Sequence, residues 1–375
     1  MSAIAKSVVI HVGPPKTGSS AVQKWFCTNV DWLKKQGIYY PEHWLDENGI
    51  SCGHARLLFD IPNKNELVFN DDKYRALLKE FYASGCHTLF LSSEAYYLQL
   101  GVLANKIPNA SFLGYIRNPL ELIESNYNQM IKRQGRLGQF VVPQKLRAEH
   151  LEMFLGFAEE FGRERLLLRF VDKSSYVGGT IVSDVASLLG FNATITEEVI
   201  NTSYSFEALE VKRWLNQYQL GALEAHIDRA LQRYQGTIEY SLVRPEYRQT
   251  LIVQAKEGVY ESGYRLPVCD QQLHNLIKKI EEYDWAPYHP QELSEKEFVC
   301  IADYLAKELE SKFAQLTYIV CIKNAAASKS VWKELILQRC PKASLIKVLF
   351  MTTLRSWIKP SRQLLSAVFN KPSKN

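Results

Sequence analysis

Val8-Val9-Ile10-His11-Val12-Gly13-Pro14-Pro15-Lys16-Thr17-Gly18-Ser19-Ser20 decides how this chain is read. The β-branched run at its start predicts a strand, and Gly13-Pro14-Pro15 ends that strand in a turn. Beyond the turn, Val22, Trp25, Phe26, Val30 and Leu33 recur at helical spacing, so the lysine and the small hydroxyl residues open a helix. Strand, turn and helix N-terminus in this order hold phosphate. The turn exposes backbone N–H groups and the helix adds the positive end of its dipole. Lys16 contributes a full charge, and Thr17, Ser19 and Ser20 contribute hydroxyl donors.

The loop is not a Walker A sequence, in which the lysine follows the second glycine. Here Lys16 precedes Gly18, and no hydroxyl follows a lysine in the place that would hold Mg²⁺. A second stretch, Ser111-Phe112-Leu113-Gly114-Tyr115-Ile116, reads as a buried strand that stops at Arg117-Asn118-Pro119. Pro119 suits the first turn of a helix, where its missing N–H costs nothing. That helix carries Leu122, Ile123, Asn126, Tyr127, Met130 and Ile131, with Ser125 about two turns in.

The order Pro15-Lys16-Thr17-Gly18-Ser19-Ser20 resembles the 5′-phosphosulfate loop of sulfotransferases that use 3′-phosphoadenosine 5′-phosphosulfate (PAPS). Arg117, Ser125 and Tyr127 match the spacing of that family's 3′-phosphate motif. The resemblance, to bacterial carbohydrate sulfotransferases, covers roughly residues 6–220 and is specific at these two motifs and softer elsewhere. It implies an α/β fold of P-loop type, a parallel sheet flanked by helices, and PAPS as cofactor with 3′-phosphoadenosine 5′-phosphate (PAP) as product. Pro15, Lys16, Thr17, Gly18, Ser19 and Ser20 would hold the 5′-phosphosulfate. Arg117 and Ser125 would hold the 3′-phosphate, and no metal is required. A late Arg-Lys-Gly segment that completes the family's 3′-phosphate site is absent from the sequence, and Arg244 and Arg248 are the candidates to replace it.

Leu89-Phe90-Leu91-Ser92-Ser93-Glu94 reads as a third strand with its polar residues at the C-terminal end, where ligands of open α/β sheets gather. In the family the strand before the 3′-phosphate motif carries the catalytic base, a glutamate in several carbohydrate-modifying relatives. The resemblance therefore implies that Glu94 takes the acceptor's proton, the other reading being a positioning carboxylate. His54 is the rival base, or else a helix cap before Leu57, Leu58 and Phe59. Lys16 would also offset charge on the leaving phosphate. Arg165–Asp172 reads as a fourth strand, and Gly178–Gly190 as a turn and helix. Asn201-Thr202-Ser203-Tyr204-Ser205 precedes a long helix from Phe206 to about Tyr218.

Composition agrees with a large core: 375 residues, 46% hydrophobic. Seven cysteines without a Cys-x-x-Cys pair argue for reduced thiols and a cytoplasmic location, against zinc and disulfides. The start of the chain reads as a strand rather than a signal peptide, and no apolar run approaches the ~20 residues of a membrane span. Two domains are expected, a sulfotransferase domain over 1–325 and a basic amphipathic tail over 326–375. The tail carries ten Lys/Arg against Glu334 alone, a local charge of +9 in a chain whose total is +5. Two readings of it stand: peripheral contact with an anionic membrane at the inner face, or a helical lid packed on the core. Nucleic acid is not expected as a partner.

The function expected is sulfuryl transfer from PAPS to an acceptor hydroxyl, on a carbohydrate such as a capsule, lipopolysaccharide or glycolipid. The alternatives are a P-loop kinase using ATP and Mg²⁺, and a non-catalytic glycan- or membrane-binding relative.

Overall fold

The computed structural model describes residues 6–14, 16–43, 53–63, 66–192, 203–325 and 330–353. They form two compact units interleaved in sequence. The first takes in residues 1–125, 142–201 and 243–285, and the second residues 126–141, 202–242 and 286–375.

The first unit is built on a parallel sheet. Its strands, in chain order, are β1 (Ser7–His11), β2 (Ile38–Tyr39), β5 (Thr88–Ser92), β6 (Ala110–Ile116) and β7 (Leu166–Phe170). Between β2 and β5 the chain makes a short antiparallel hairpin from β3 (Phe59–Asp60) and β4 (Val68–Phe69). The sheet order is β2-β5-β1-β6-β7, every pair parallel. The predicted α/β class with a parallel sheet between helices is the observed one.

The four strands expected from sequence are present, each within a residue or two of its expected bounds. β2 was missed, because two residues give no periodicity to read. All five residues of β5 are buried, as befits a parallel strand covered on both faces. On one face Val9, Phe90, Leu113 and Tyr115 pack with Val22 and Phe26 of the helix Ser19–Thr28 and with Val182 and Val185 of the helix Ile181–Leu188. On the other, Phe112 meets Phe157, with ring centroids 4.9 Å apart.

Gly114 in β6 has a packing reason. A Cβ there would drive into the ring of Phe154, on the helix Glu149–Phe161, which occupies the space a side chain would fill.

The second unit is helical. Phe206, Leu209 and Leu215 of the helix Phe206–Leu215 pack with Ile227 and Leu231, with Phe298, Ile301 and Leu305 of the helix Glu295–Leu309, and with Leu335 and Ile336 of the helix Val331–Arg339. The expected boundary at 325/326 therefore falls inside one core: residues 331–340 of the basic tail are part of it. Among the described residues no helix is long and apolar enough to cross a membrane.

Gly114→Ala should overpack the sheet against Phe154, costing about 1–3 kcal/mol of stability by urea unfolding. The double variant Gly114→Ala/Phe154→Leu should recover part of that loss, because the two positions share one space.

Candidate functional site

The chain leaves β1 at His11 and keeps to the sheet for one more residue, Val12 N donating to Leu113 O at 3.0 Å. Gly13 then turns with φ of 46°, and Thr17 Oγ1 donates back to Pro14 O at 2.6 Å, closing the loop on itself. Lys16 is held at φ of 67°, a left-handed conformation that costs a non-glycine residue about 1–3 kcal/mol. Gly18, at φ of 88°, caps the helix Ser19–Thr28. That helix has no side-chain cap and no acidic residue in its first turn, so nothing on it opposes an anion at its positive end.

Two details shape the cradle. A Cβ on Gly13 would sit 2.5 Å from Ser19 Oγ, so only glycine leaves room for this hydroxyl. Ser19 is 2% exposed and its Oγ has no partner among the described residues. An orphaned hydroxyl buried at a helix N-terminus suits a ligand oxygen. On the outer side Ile181 lies against Gly18. The helix bearing Ile181 is tied to β6 through Asp184, which accepts from Tyr115 Oη at 2.6 Å and from Val177 N at 3.0 Å.

β1 lies between β5 and β6. Its own connection runs to one side of the sheet, toward β2, and the connection leaving β6 runs to the other, toward β7. The C-terminal ends of β1 and β6 therefore border the point where the strand order reverses, the place where α/β sheets bind ligands. Arg117 stands there, immediately after β6. Its NH1 donates to Lys16 O at 2.9 Å, across 101 residues of sequence, and its Nε donates to Glu121 Oε2 at 2.6 Å. The two sequence motifs thus meet in one place, and the two bonds point the guanidinium along the loop.

Glu94 is brought to the same loop. It opens a short 3₁₀ helix, Glu94–Gln99, directly after β5, is exposed, and its Cα would lie 3.6 Å from a Cβ on Gly13. Ser93 N donates to His11 O, so the strand ladder itself sets this position. Ser20 is half-buried beside the loop, and Ser125 is half-buried two turns along the helix Pro119–Gln134. Pro15 lies outside the described residues, as do Asn201 and Thr202.

His54, expected as the rival base, is instead structural. It is fully buried; Nε2 donates to Pro41 O at 2.9 Å, and Nδ1 accepts from Ser92 N at 2.9 Å. Both ring nitrogens are committed to backbone, and burial, with the neighbouring His43, holds its pKa down to about 3. A fully buried His11 pairs through Nδ1 with Ser92 Oγ at 2.8 Å, its Nε2 being without a partner among the described residues. Burial lowers it to about 4. His150 accepts from Arg117 N through Nδ1 at 3.4 Å, and burial together with Arg117 lowers it to about 4. Three neutral imidazoles thus support the loop and its arginine from below. Tyr127 also has a structural place: its hydroxyl donates to Gly138 O at 3.0 Å and accepts from Gln291 Nε2 at 2.8 Å in the second unit.

The structure adds residues that the sequence reading did not assign and places one that it did, Arg248. Glu124, one turn from Glu121, accepts from Val243 N at 3.3 Å. Arg248 donates through Nε to Val243 O at 3.2 Å and stacks over Trp285, 5.4 Å from the ring centroid. Trp285 Nε1 is buried and has no partner among the described residues. Tyr283 packs edge-on against Trp285 at 4.7 Å, and burial, with the Glu121 and Glu124 carboxylates, pushes its hydroxyl up to about 12. An aromatic and basic cluster from the unit's last segment, 243–285, therefore meets the start of the helix Pro119–Gln134, just after Arg117. The signal in the sequence was the aromatic loop Asp284-Trp285-Ala286-Pro287-Tyr288-His289-Pro290, which fits a structural turn better than a sugar platform. Of the two late arginines, Arg244 instead makes a long, exposed pair with Glu246 at 3.9 Å. No group of three His, Cys, Asp or Glu side chains among the described residues could hold a metal ion.

No family model matches this chain, and no curated protein does. Among solved structures it is similar to the crystal structure of a sulfotransferase from Alicyclobacillus acidocaldarius, at 15% identity and a TM-score of 0.37. That match covers 73% of this chain and 97% of the other.

The buried histidines make stability depend on pH. Their folded pKa values lie below the unfolded value of about 6.5, so the folded state binds fewer protons. Their contribution is complete above about pH 6.5 and is lost as pH falls toward 4 for His11 and His150 and toward 3 for His54, at up to about 1.4 kcal/mol per pH unit for each histidine. Urea midpoints measured across this window should fall with pH, and the slope should flatten in His54→Gln, whose side chain does not titrate.

Proposed function

We propose that this chain is a PAPS-dependent sulfotransferase, binding its nucleotide at the ends of β1 and β6 and sulfating a hydroxyl on a carbohydrate. The observation that carries the reading is the bond from Arg117 NH1 to Lys16 O, which joins the two motifs at the reversal of the sheet. The residues present fit such a nucleotide. Ser19 Oγ lacks a partner among the described residues, the helix it opens has no side-chain cap, and a guanidinium with five N–H donors stands beside them.

In this reading the loop from Gly13 to Ser20 and Lys16 hold the 5′-phosphosulfate, while Arg117 and Ser125 hold the 3′-phosphate. When bound, PAPS supplies the activated sulfuryl group that passes to the acceptor oxygen. The Lys16 ammonium offsets negative charge that grows on the phosphate side as the bond to sulfur breaks. Glu94 accepts the acceptor's hydroxyl proton as that oxygen attacks, a role that contributes about 10²–10⁴-fold in rate. Its place directly beside the loop supports that assignment, whereas His54 is closed off by its two backbone bonds. The buried floor of His11, Ser92 and Gln23 keeps the loop in place; Gln23 Nε2 donates to Ser92 Oγ at 3.3 Å. As in phosphoryl transfer, positioning and electrostatics supply most of the catalysis. The carbohydrate acceptor rests on the glutamate at position 94, the residue type of the carbohydrate-modifying relatives that the sequence resembles.

Calorimetric titration tests the cofactor. PAP should bind in the presence of EDTA, and Lys16→Ala should weaken it at least about tenfold, as expected for loss of a charged phosphate contact. Binding of ATP only with Mg²⁺ would make the chain a kinase, and binding of neither would leave a non-catalytic relative. With PAPS and a glycan acceptor, Glu94→Gln should lower turnover about 10²–10⁴-fold while leaving PAP affinity intact. Turnover close to that of the unsubstituted enzyme would remove Glu94 as the base.

A further inference from the structure

The basic tail divides into a buried part and an outward one. Leu335, Ile336 and Cys340 are buried in the second unit's core. Among the described residues, the next helical stretch, 342–353, rests on that core by Leu345 and Val348. Ile346 is 64% exposed and Phe350 68%, with Met351 at 46%. Ala343, Ile346 and Phe350 follow the i, i+3, i+7 spacing of one helical face, and Lys342 and Lys347 border that face on its two sides. Large apolar side chains in the centre of an outward face, with a lysine along each edge, are the pattern of a helix lying in a lipid interface. Lysine stems extend over the apolar surface and carry their charges up to the headgroups.

We infer that the helix 342–353 docks this chain on an anionic lipid surface through Ala343, Ile346 and Phe350, with Lys342 and Lys347 reaching the phosphates. Charge selects the occupant. After residue 353 the sequence holds Arg355, Lys359, Arg362, Lys371 and Lys374 with no acidic residue, and interleaves them with Trp357, Leu364, Leu365 and Phe369. A second copy would bring the same positive charge to the face and be repelled. A nucleic acid would neutralise the lysines but leave Ile346 and Phe350 in water. An anionic bilayer offers both a negative surface and an apolar layer beneath it.

Flotation of the full chain with vesicles tests this. Phosphatidylcholine vesicles containing a minority of phosphatidylglycerol should carry the protein, and pure phosphatidylcholine vesicles should not. Phe350→Glu should lower the partition coefficient at least about tenfold, since it puts a charge where the apolar face inserts. The pair Lys342→Gln/Lys347→Gln should lower it about tenfold or more. Both variants change exposed side chains, and unchanged thermal unfolding shows that the second unit is intact. The proposal is overturned if phosphatidylglycerol brings no flotation, or if Phe350→Glu floats like the original chain. A concentration-dependent dimer abolished by Phe350→Glu would assign the face to a second copy. Loss of flotation to a duplex oligonucleotide, with Phe350→Glu still binding that duplex, would assign the basic charge to nucleic acid.

Discussion

The Arg117 guanidinium holds the site together. A loop rich in glycine and proline has few contacts of its own to set its shape, and this one contains a lysine in a strained left-handed conformation. Its conformation is stabilised by what grips it: Thr17 closing back on Pro14, Ser19 filling the gap left by Gly13, and Arg117 binding the carbonyl of Lys16. That last bond reaches from the end of β6 to the loop after β1. It can form because those strands are neighbours whose connections depart in opposite directions, which opens a crevice between their ends. An arginine with a fixed planar fork suits both tasks, gripping a carbonyl with one N–H and turning others toward an anion.

Beneath the loop the protein uses histidines as neutral scaffolding. His11, His54 and His150 are buried, each bonded to the strand ends or to the backbone of Arg117, and burial keeps them uncharged. They give the site a floor that is polar enough to orient strand ends and adds no charge that would compete with Lys16 and Arg117 for an anion. This separates the histidines that hold the site from the carboxylate of Glu94 that can act in it.

Much of this was legible in the sequence, for identifiable reasons. β5 and β6 are near-continuous apolar runs, because a parallel strand covered on both faces must be, and β1 and β7 each carry three successive aliphatic residues. The strand-turn-helix order around Gly13 and Gly18 is readable since few residues other than glycine accept those backbone angles. Four things were not legible. β2 is two residues long and carries no pattern. His54 looked reactive because its type is reactive, and only its partners, Pro41 and Ser92, far apart in sequence, show that it is structural. The cluster of Arg248, Tyr283 and Trp285 depends on a return of the chain across more than a hundred residues to Glu121 and Glu124. The division of the tail escaped for the same reason: Leu335 and Ile346 are similar in type, and only tertiary packing buries one and exposes the other.

The central claim is that Arg117 reads a 3′-phosphate while it holds the loop. Calorimetry with two ligands, PAP and AMP, on the unsubstituted protein and on Arg117→Ala separates those roles, because AMP lacks the 3′-phosphate. Removal of the arginine should weaken AMP through the loosened loop and weaken PAP at least about tenfold more, the excess being the lost 3′-phosphate contact. Equal losses for both ligands would reduce Arg117 to a brace for the loop, and no loss for either would contradict the account of the site.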